Sequence, residues 1–190
     1  MLPSITKNFI LRLGIDIDNT IGDFASVAKS VVREETGETL MIENLGMRFP
    51  SIKGISTQKL IFDTHLDRII SEMQPYPDAV DAAKRLSQHY YITYVTFRKK
   101  ETNALTREWL LKHDFPNPDN VFHAVGSKVP APVQYIIDDN KSVIDEFYTR
   151  GRFGVLLGRY HYNRIFAGKV RNFAADMTTA ADILINLRKK

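Results

Sequence analysis

The chain contains no cysteine, which excludes disulfides, thiolate metal sites and thiol catalysis. No apolar run is long enough to span a bilayer. The apolar stretch after Lys7 is short and is interrupted by Arg12 and Asp16, so the N-terminus does not read as a signal peptide. The five histidines are isolated, with no HExxH pair for zinc. There is no GxSxG elbow, no Walker-type phosphate loop and no GxGxxG fingerprint. Internal repeats and low-complexity tracts are also missing. These absences remove the usual hydrolase, P-loop and dinucleotide chemistries. What remains is an ordinary globular composition, 44% hydrophobic and 25% charged over 190 residues. That length suits one domain with a small insert. The expectation is a soluble, cytoplasmic protein with no membrane partner.

Net charge is +4, and the excess is concentrated. Between Phe147 and Ala175 lie Arg150, Arg152, Arg159, Arg164, Lys169 and Arg171, with no acid among them and seven aromatics interleaved. Such a stretch can attract nucleic acid or a phosphorylated small molecule. It can equally be a solvated face above core aromatics.

The informative stretch is Ile15-Asp16-Ile17-Asp18-Asn19-Thr20, at the end of the apolar run Phe9–Ile17. That run reads as a buried strand. Two acids two residues apart on an extended chain point the same way. Open α/β sheets place ligands at the carboxyl ends of their strands. Adjacent carboxylates stay ionised only where a cation or donors offset their repulsion, and a hard divalent ion such as Mg2+ suits oxygen ligands. The plainer alternative is that Asp16 or Asp18 caps the next helix.

Apolar spacing predicts helices over Asp23–Glu35, stopped by Gly37, and over Thr57–Met73, Asp78–Gln88, Glu101–His113, Lys141–Thr149 and Thr179–Leu187. Further strands are predicted at Tyr90–Thr96, Val121–Val125, Gln134–Ile137 and Phe153–Leu157, while 38–55 reads as irregular. This alternation predicts an α/β fold, a three-layer Rossmann-like parallel sheet with helices on both faces. Residues 23–75 are too many for a crossover connection. They are therefore expected to form a small helical cap inserted after the first strand, the core being 1–22 and 76–190. Polar groups again close the later strands: Thr96, then Asp138 and Asp139. Each has a capping alternative, with Asp139 or Asn140 well placed to cap the helix at Lys141.

The motifs "GIDIDNTIGDF", "YVTFR" and "YIIDDN" resemble those of the haloacid dehalogenase (HAD) superfamily of phosphohydrolases. Within it, "PYPDAVDAAKRL", "VTFR…TREWLLKH" and "LLGRYHYNR" are similar to the 5′(3′)-deoxyribonucleotidase group of the cytosolic type. The resemblance covers roughly residues 9–185 and implies a phosphatase. Asp16 would be the nucleophile, and Asp18 the acid that protonates the leaving oxygen and then the base that activates water. Thr96 would hold a phosphoryl oxygen. Mg2+ would be bound by Asp16, the main-chain carbonyl of Asp18, and Asp138 and Asp139. The family also expects a lysine before the fourth strand. Lys128 is the candidate, with Lys99, Lys100 or Arg98 as substitutes, and Pro130 and Pro132 forbid a helix after it. Phe97 stands where the nucleotidase group tends to carry Ala. Substrate contacts are expected from Thr96, Phe97, Arg98, Phe24 and Tyr76, with Arg48, Phe49, Tyr160 and His161 as further rim candidates. The implied substrate is a small phosphorylated molecule, a nucleoside monophosphate. Two other readings stay open: a phosphatase of nucleic-acid ends, and a non-catalytic HAD-like binding protein.

Overall fold

The computed structural model describes residues 11–41 and 49–189. Arg48 and the start of the Phe9–Ile17 run lie outside them. Along the chain come β1 (Arg12–Ile15), α1 (Phe24–Thr36), the short strands β2 (Ser51–Ile52) and β3 (Ile55–Ser56), α2 (Thr57–Lys59) and α3 (Leu66–Glu72). Then follow α4 (Ala79–Ser87), β4 (Tyr91–Thr96), α5 (Asn103–Lys112), β5 (Val121–His123), β6 (Tyr135–Asp138) and α6 (Lys141–Thr149). The chain closes with β7 (Phe153–Leu157), α7 (His161–Arg164), β8 (Phe173–Ala174) and α8 (Met177–Arg188).

Six strands form one sheet in the order β5-β4-β1-β6-β7-β8, and every ladder in it is parallel. Strand periodicity divides its side chains between two apolar clusters. Leu13, Ile15, Ile92, Tyr94, Ile137, Val155 and Leu157 share one cluster with α4, α8 and Trp109 and Leu110 of α5. Val95, Ile136 and Leu156 pack on the other side with Val143, Ile144 and Phe147 of α6. The result is helix, sheet, helix. Gly154 allows α6 to approach this closely, since a Cβ there would stand 3.0 Å from Ile144 Cδ1. Among the described residues, no helix is long and apolar enough to cross a membrane.

The segment between β1 and α4 buries Phe24, Ala28, Val31 and Val32 of α1 with Ile69 and Ile70 of α3, in the same cluster as the sheet. Asp23 caps α1 by accepting from Ser26 N, and Gly37 ends it at φ 74°. The two ends of the segment are tied together: Asp23 N donates to Gln74 O at 2.8 Å and Tyr76 N to Ile21 O at 2.9 Å.

The structure differs from expectation here in two ways. Residues 38–55 are not wholly irregular, because β2 and β3 form a hairpin turned at Lys53 (φ 49°) and Gly54 (φ 80°). Nor is Thr57–Met73 one helix. Leu60–Thr64 is a π-helical turn closed by His65 N donating to Leu60 O, and α-helix restarts at Leu66. The wide turn brings Phe62 against Phe24 and Phe49 instead of continuing the inner stripe; π-turns of this kind concentrate at functional sites. The two-residue β8 and the four-residue α7 are also additions, too short to leave a period.

Candidate active site

The sheet order places β1 between β4 and β6, with Ile15 in register with both Tyr94 and Ile137. The carboxyl ends of the three strands therefore meet. Asp16 follows β1, and its N–H continues the ladder by donating to Ile137 O at 3.0 Å. The chain then turns tightly, with Ile21 N and Gly22 N both donating to Ile17 O and Asn19 in the left-handed region at φ 63°. Asn tolerates that conformation better than most residues. Asn19 Oδ1 accepts from Ala25 N at the start of α1.

Asp16, Asp138 and Asp139 each bring a carboxylate oxygen within 4.8 Å of the others. Lys128 joins them, 2% exposed, with Nζ donating to Asp16 Oδ1 and, at 2.8 Å, to Asp138 Oδ2. Thr20 Oγ1 donates to Asp16 Oδ2 at 2.9 Å. Asp138 Oδ1 accepts from Asn140 N, and Asp139 Oδ2 accepts from Tyr162 Oη at 3.1 Å. The capping alternatives do not describe these acids. Asp23 caps α1, and Asn140 caps α6 by accepting from Ser142 N.

Burial pushes the Asp16 carboxyl up to about 7, Lys128 pulling it down and Asp138 and Asp18 adding to the rise. Asp139 is raised well above the ordinary carboxyl by burial, then by Asp16 and Asp138. Burial works to lower Lys128, and the Asp138 and Asp16 carboxylates overcome it, leaving the lysine raised and charged. One ammonium among three carboxylates, those of Asp16 and Asp138 buried and that of Asp139 half-buried, leaves the cluster short of positive charge. An all-oxygen set of this geometry fits a hard divalent ion such as Mg2+.

A cavity of about 200 Å³ stands over the cluster, lined by Asp16, Asp18, Lys128, Asp138 and Asp139 with Asn19 and Asn140. Its apolar wall is Phe24, Phe49, Phe62 and Phe97. Phe97 is 47% exposed, its ring centroid 4.9 Å from Lys128 Nζ.

Three expected contacts sit elsewhere. Thr96 is fully buried, and its Oγ1 accepts from Arg98 N at 3.1 Å. Arg98 turns inward and pairs with Asp18 through Nε and Nη2. Tyr76 hydrogen-bonds Asp23 Oδ1 and Tyr160 Oη, beneath the Arg159 guanidinium. Arg98 and Tyr76 are occupied by partners distant in the sequence. Lys99, offered as a substitute lysine, pairs with Asp63. Asn19, Asn140, Phe62 and Tyr162 were missed as site residues; only the Asp-Asn pairs of the two motifs and Tyr162 within "LLGRYHYNR" carried any signal. The basic stretch is partly consumed internally. Arg152 donates to Val129 O and Ala131 O, Arg159 to Asp78 and Thr20 O, and Arg164 to Gly158 O.

Comparison with known proteins gives concordant results. A Bacillus cereus protein, whose assignment as a nucleotidase is itself inferred, is 24% identical over 154 residues, covering 71% of this chain and 79% of its own. A haloacid dehalogenase-like family hydrolase from Streptococcus pneumoniae superposes with a TM-score of 0.66 at 15% identity, covering 92% of this chain and 98% of that one. A Bacillus subtilis protein classed as a HAD hydrolase, solved bound to magnesium, gives 0.62 at 15% identity over 92% and 98%. At such identities these structures show the fold. The model of the family described as "5' nucleotidase, deoxy (Pyrimidine), cytosolic type C protein" matches residues 8–190. The chain belongs to that family, and with it to the HAD-type phosphohydrolases.

Proposed function

We propose that this phosphohydrolase is a Mg2+-dependent phosphomonoesterase of the cytoplasm that cleaves nucleoside monophosphates through an aspartyl-phosphate on Asp16. The observation that carries the reading is the buried Asp16 carboxylate held by Lys128 and Thr20 beside two further acids. Asp16, Asp138, Asp139 and the main-chain carbonyl of Asp18 would hold the ion, which when bound supplies positive charge to the equatorial phosphoryl oxygens.

The remaining chemistry belongs to the chain. An oxygen of Asp16 attacks phosphorus, the bond from phosphorus to the leaving oxygen breaks, and the Asp18 carboxyl gives that oxygen its proton. Asp18, now a carboxylate, takes a proton from water. The water oxygen attacks phosphorus, the bond to Asp16 breaks, and phosphate leaves with both acids restored. Splitting one displacement into two makes each easier, and the positioned acid adds about 10²–10⁴-fold. Lys128 offsets the nucleophile's charge, and its preorganised ammonium needs no reorganisation during the step. Thr96 is fully buried and its Oγ1 accepts from Arg98 N, so it holds the main chain of Arg98 at the end of β4. The phenyl rings of Phe24, Phe49, Phe62 and Phe97 offer flat apolar faces, and Phe24 and Phe62 already stack at 5.8 Å between centroids. A nucleobase suits such a wall. The inserted segment that supplies three of those rings acts as the cap.

The test is phosphate release from a panel of 5′- and 3′-nucleoside monophosphates and sugar phosphates, with Mg2+ or EDTA, for wild type and Asp16→Asn. Release from nucleotides that needs Mg2+ and vanishes in the variant is expected. Equal release with EDTA, or preference for sugar phosphates, would contradict the reading.

A further inference from the structure

Arg98 follows the exposed Phe97, yet its side chain is only 2% exposed and is held on several sides. Nε and Nη2 donate to the two oxygens of Asp18 at 3.0 and 2.6 Å. Nη1 donates to Thr106 Oγ1 on α5 at 3.1 Å, and Nη2 lies 3.8 Å from Met73 Sδ at the end of α3. The main chain is anchored too, its N–H on Thr96 Oγ1 and its carbonyl oxygen 3.0 Å from His123 Nδ1. A guanidinium fixed from the core helix, the inserted segment and the loop after β4 is a rigid template, not a side chain free to follow a substrate.

A bidentate fork sets the plane of the carboxylate it binds. It takes one lone-pair site on each oxygen and leaves the other. Asp18 is a quarter exposed and lines the cavity, so its uncommitted sites are open to a molecule there. Asp18 lies within the tight turn that begins at Ile17 and stands outside the cluster that Lys128 joins. Among the described residues, Arg98 makes the side-chain hydrogen bonds to its carboxylate.

We propose that Arg98 is a positioning residue: it orients the Asp18 carboxyl toward the leaving oxygen and acts through Asp18 without touching substrate. The inference rests on the reading of Asp18 as the group that passes a proton to and from the reacting oxygens. A lysine in its place would keep the charge but lose the planar fork.

The leaving group separates this role from a structural one. Arg98→Met and Arg98→Lys are compared with wild type on a nucleoside monophosphate, whose sugar oxygen leaves only with a proton, and on p-nitrophenyl phosphate, whose leaving group departs without one. The expected loss in kcat/KM, which reports the steps up to departure of the leaving group and not the water step both esters share, is about 10–100-fold larger for Arg98→Met on the nucleotide than on the aryl ester. Arg98→Lys is expected between the two, and its retained charge keeps the comparison available if the Met variant does not fold. In an Asp18→Asn background the same substitution is expected to add no further discrimination. Equal losses on both esters, or the full discrimination persisting without the Asp18 carboxyl, would overturn the proposal alone. A wild type that releases phosphate from neither ester would overturn the phosphatase reading and this inference with it.

Discussion

Lys128 shows what one residue does here. It is buried with both of its partners, Asp16 and Asp138, and a lone ammonium at that depth would lose most of its solvation. The pairing is retained because the carboxylates need the cation as much as it needs them. Replacing Lys128 with the similarly long Met removes the charge and leaves the acids. The expected cost is about 3 kcal/mol of stability near neutral pH, read as a lower urea midpoint at unchanged slope, together with loss of phosphatase activity. An unchanged midpoint would mean that the acids are already neutral in the native state. The sequence identified Lys128 only through a resemblance, because nothing within its own loop announces burial. Asp16, Asp18, Asp138 and Asp139 were legible from strand ends alone, since period-2 alternation and a parallel sheet dictate where such ends meet. Arg98 and Tyr76 were misplaced for the opposite reason: their partners Asp18 and Asp23 are distant in sequence, and no local pattern records them.

Helices longer than two turns and the strands β1 and β4 to β7 of the central sheet were legible, and the remaining short or irregular elements were not. α6 and β7 lie where their apolar spacing puts them, while β8 and α7 have too few residues to display a period. The break at Leu60–Thr64 was invisible because its apolar residues still satisfy helical spacing on either side. At this scale α8 gives a direct test. Asp176 caps it by accepting from Thr179 N at 2.7 Å, and the Thr179 hydrogen bonds hold its carboxyl below the ordinary 3.8. A depressed native pKa contributes stability above the unfolded value, and that stability is lost as pH falls through the native one. Asp176→Ala is therefore expected to cost about 1 kcal/mol at neutral pH. The difference from wild type should vanish once the pH drops below the native pKa. Paired thermal or urea melts across that range check it; a difference that persists in strong acid would remove the charge from the explanation.

For the whole molecule, the consequence is that folding gathers three carboxylates against a single lysine at one edge of the sheet. A divalent ion binding there stabilises the native state by mass action, by about 2.7 kcal/mol at a hundred times its Kd. Mg2+ should raise the melting temperature, EDTA should reverse the rise, and Asp139→Asn should abolish it. A Mg2+ shift that survives that substitution would place the ion elsewhere. This readout needs no substrate, so it tests the metal site apart from the reaction.

Trapping shows whether Asp16 carries the phosphoryl group. Enzyme turning over a nucleoside monophosphate with Mg2+ is quenched in acid and treated with borohydride, which reduces an acyl phosphate to the alcohol. Peptide mass spectrometry then reads which carboxyl was modified. Homoserine is expected at position 16, only in samples that received substrate, and none at position 18. Turnover with no reduced residue at 16, or with the reduction at 18, would contradict Asp16 as the carrier.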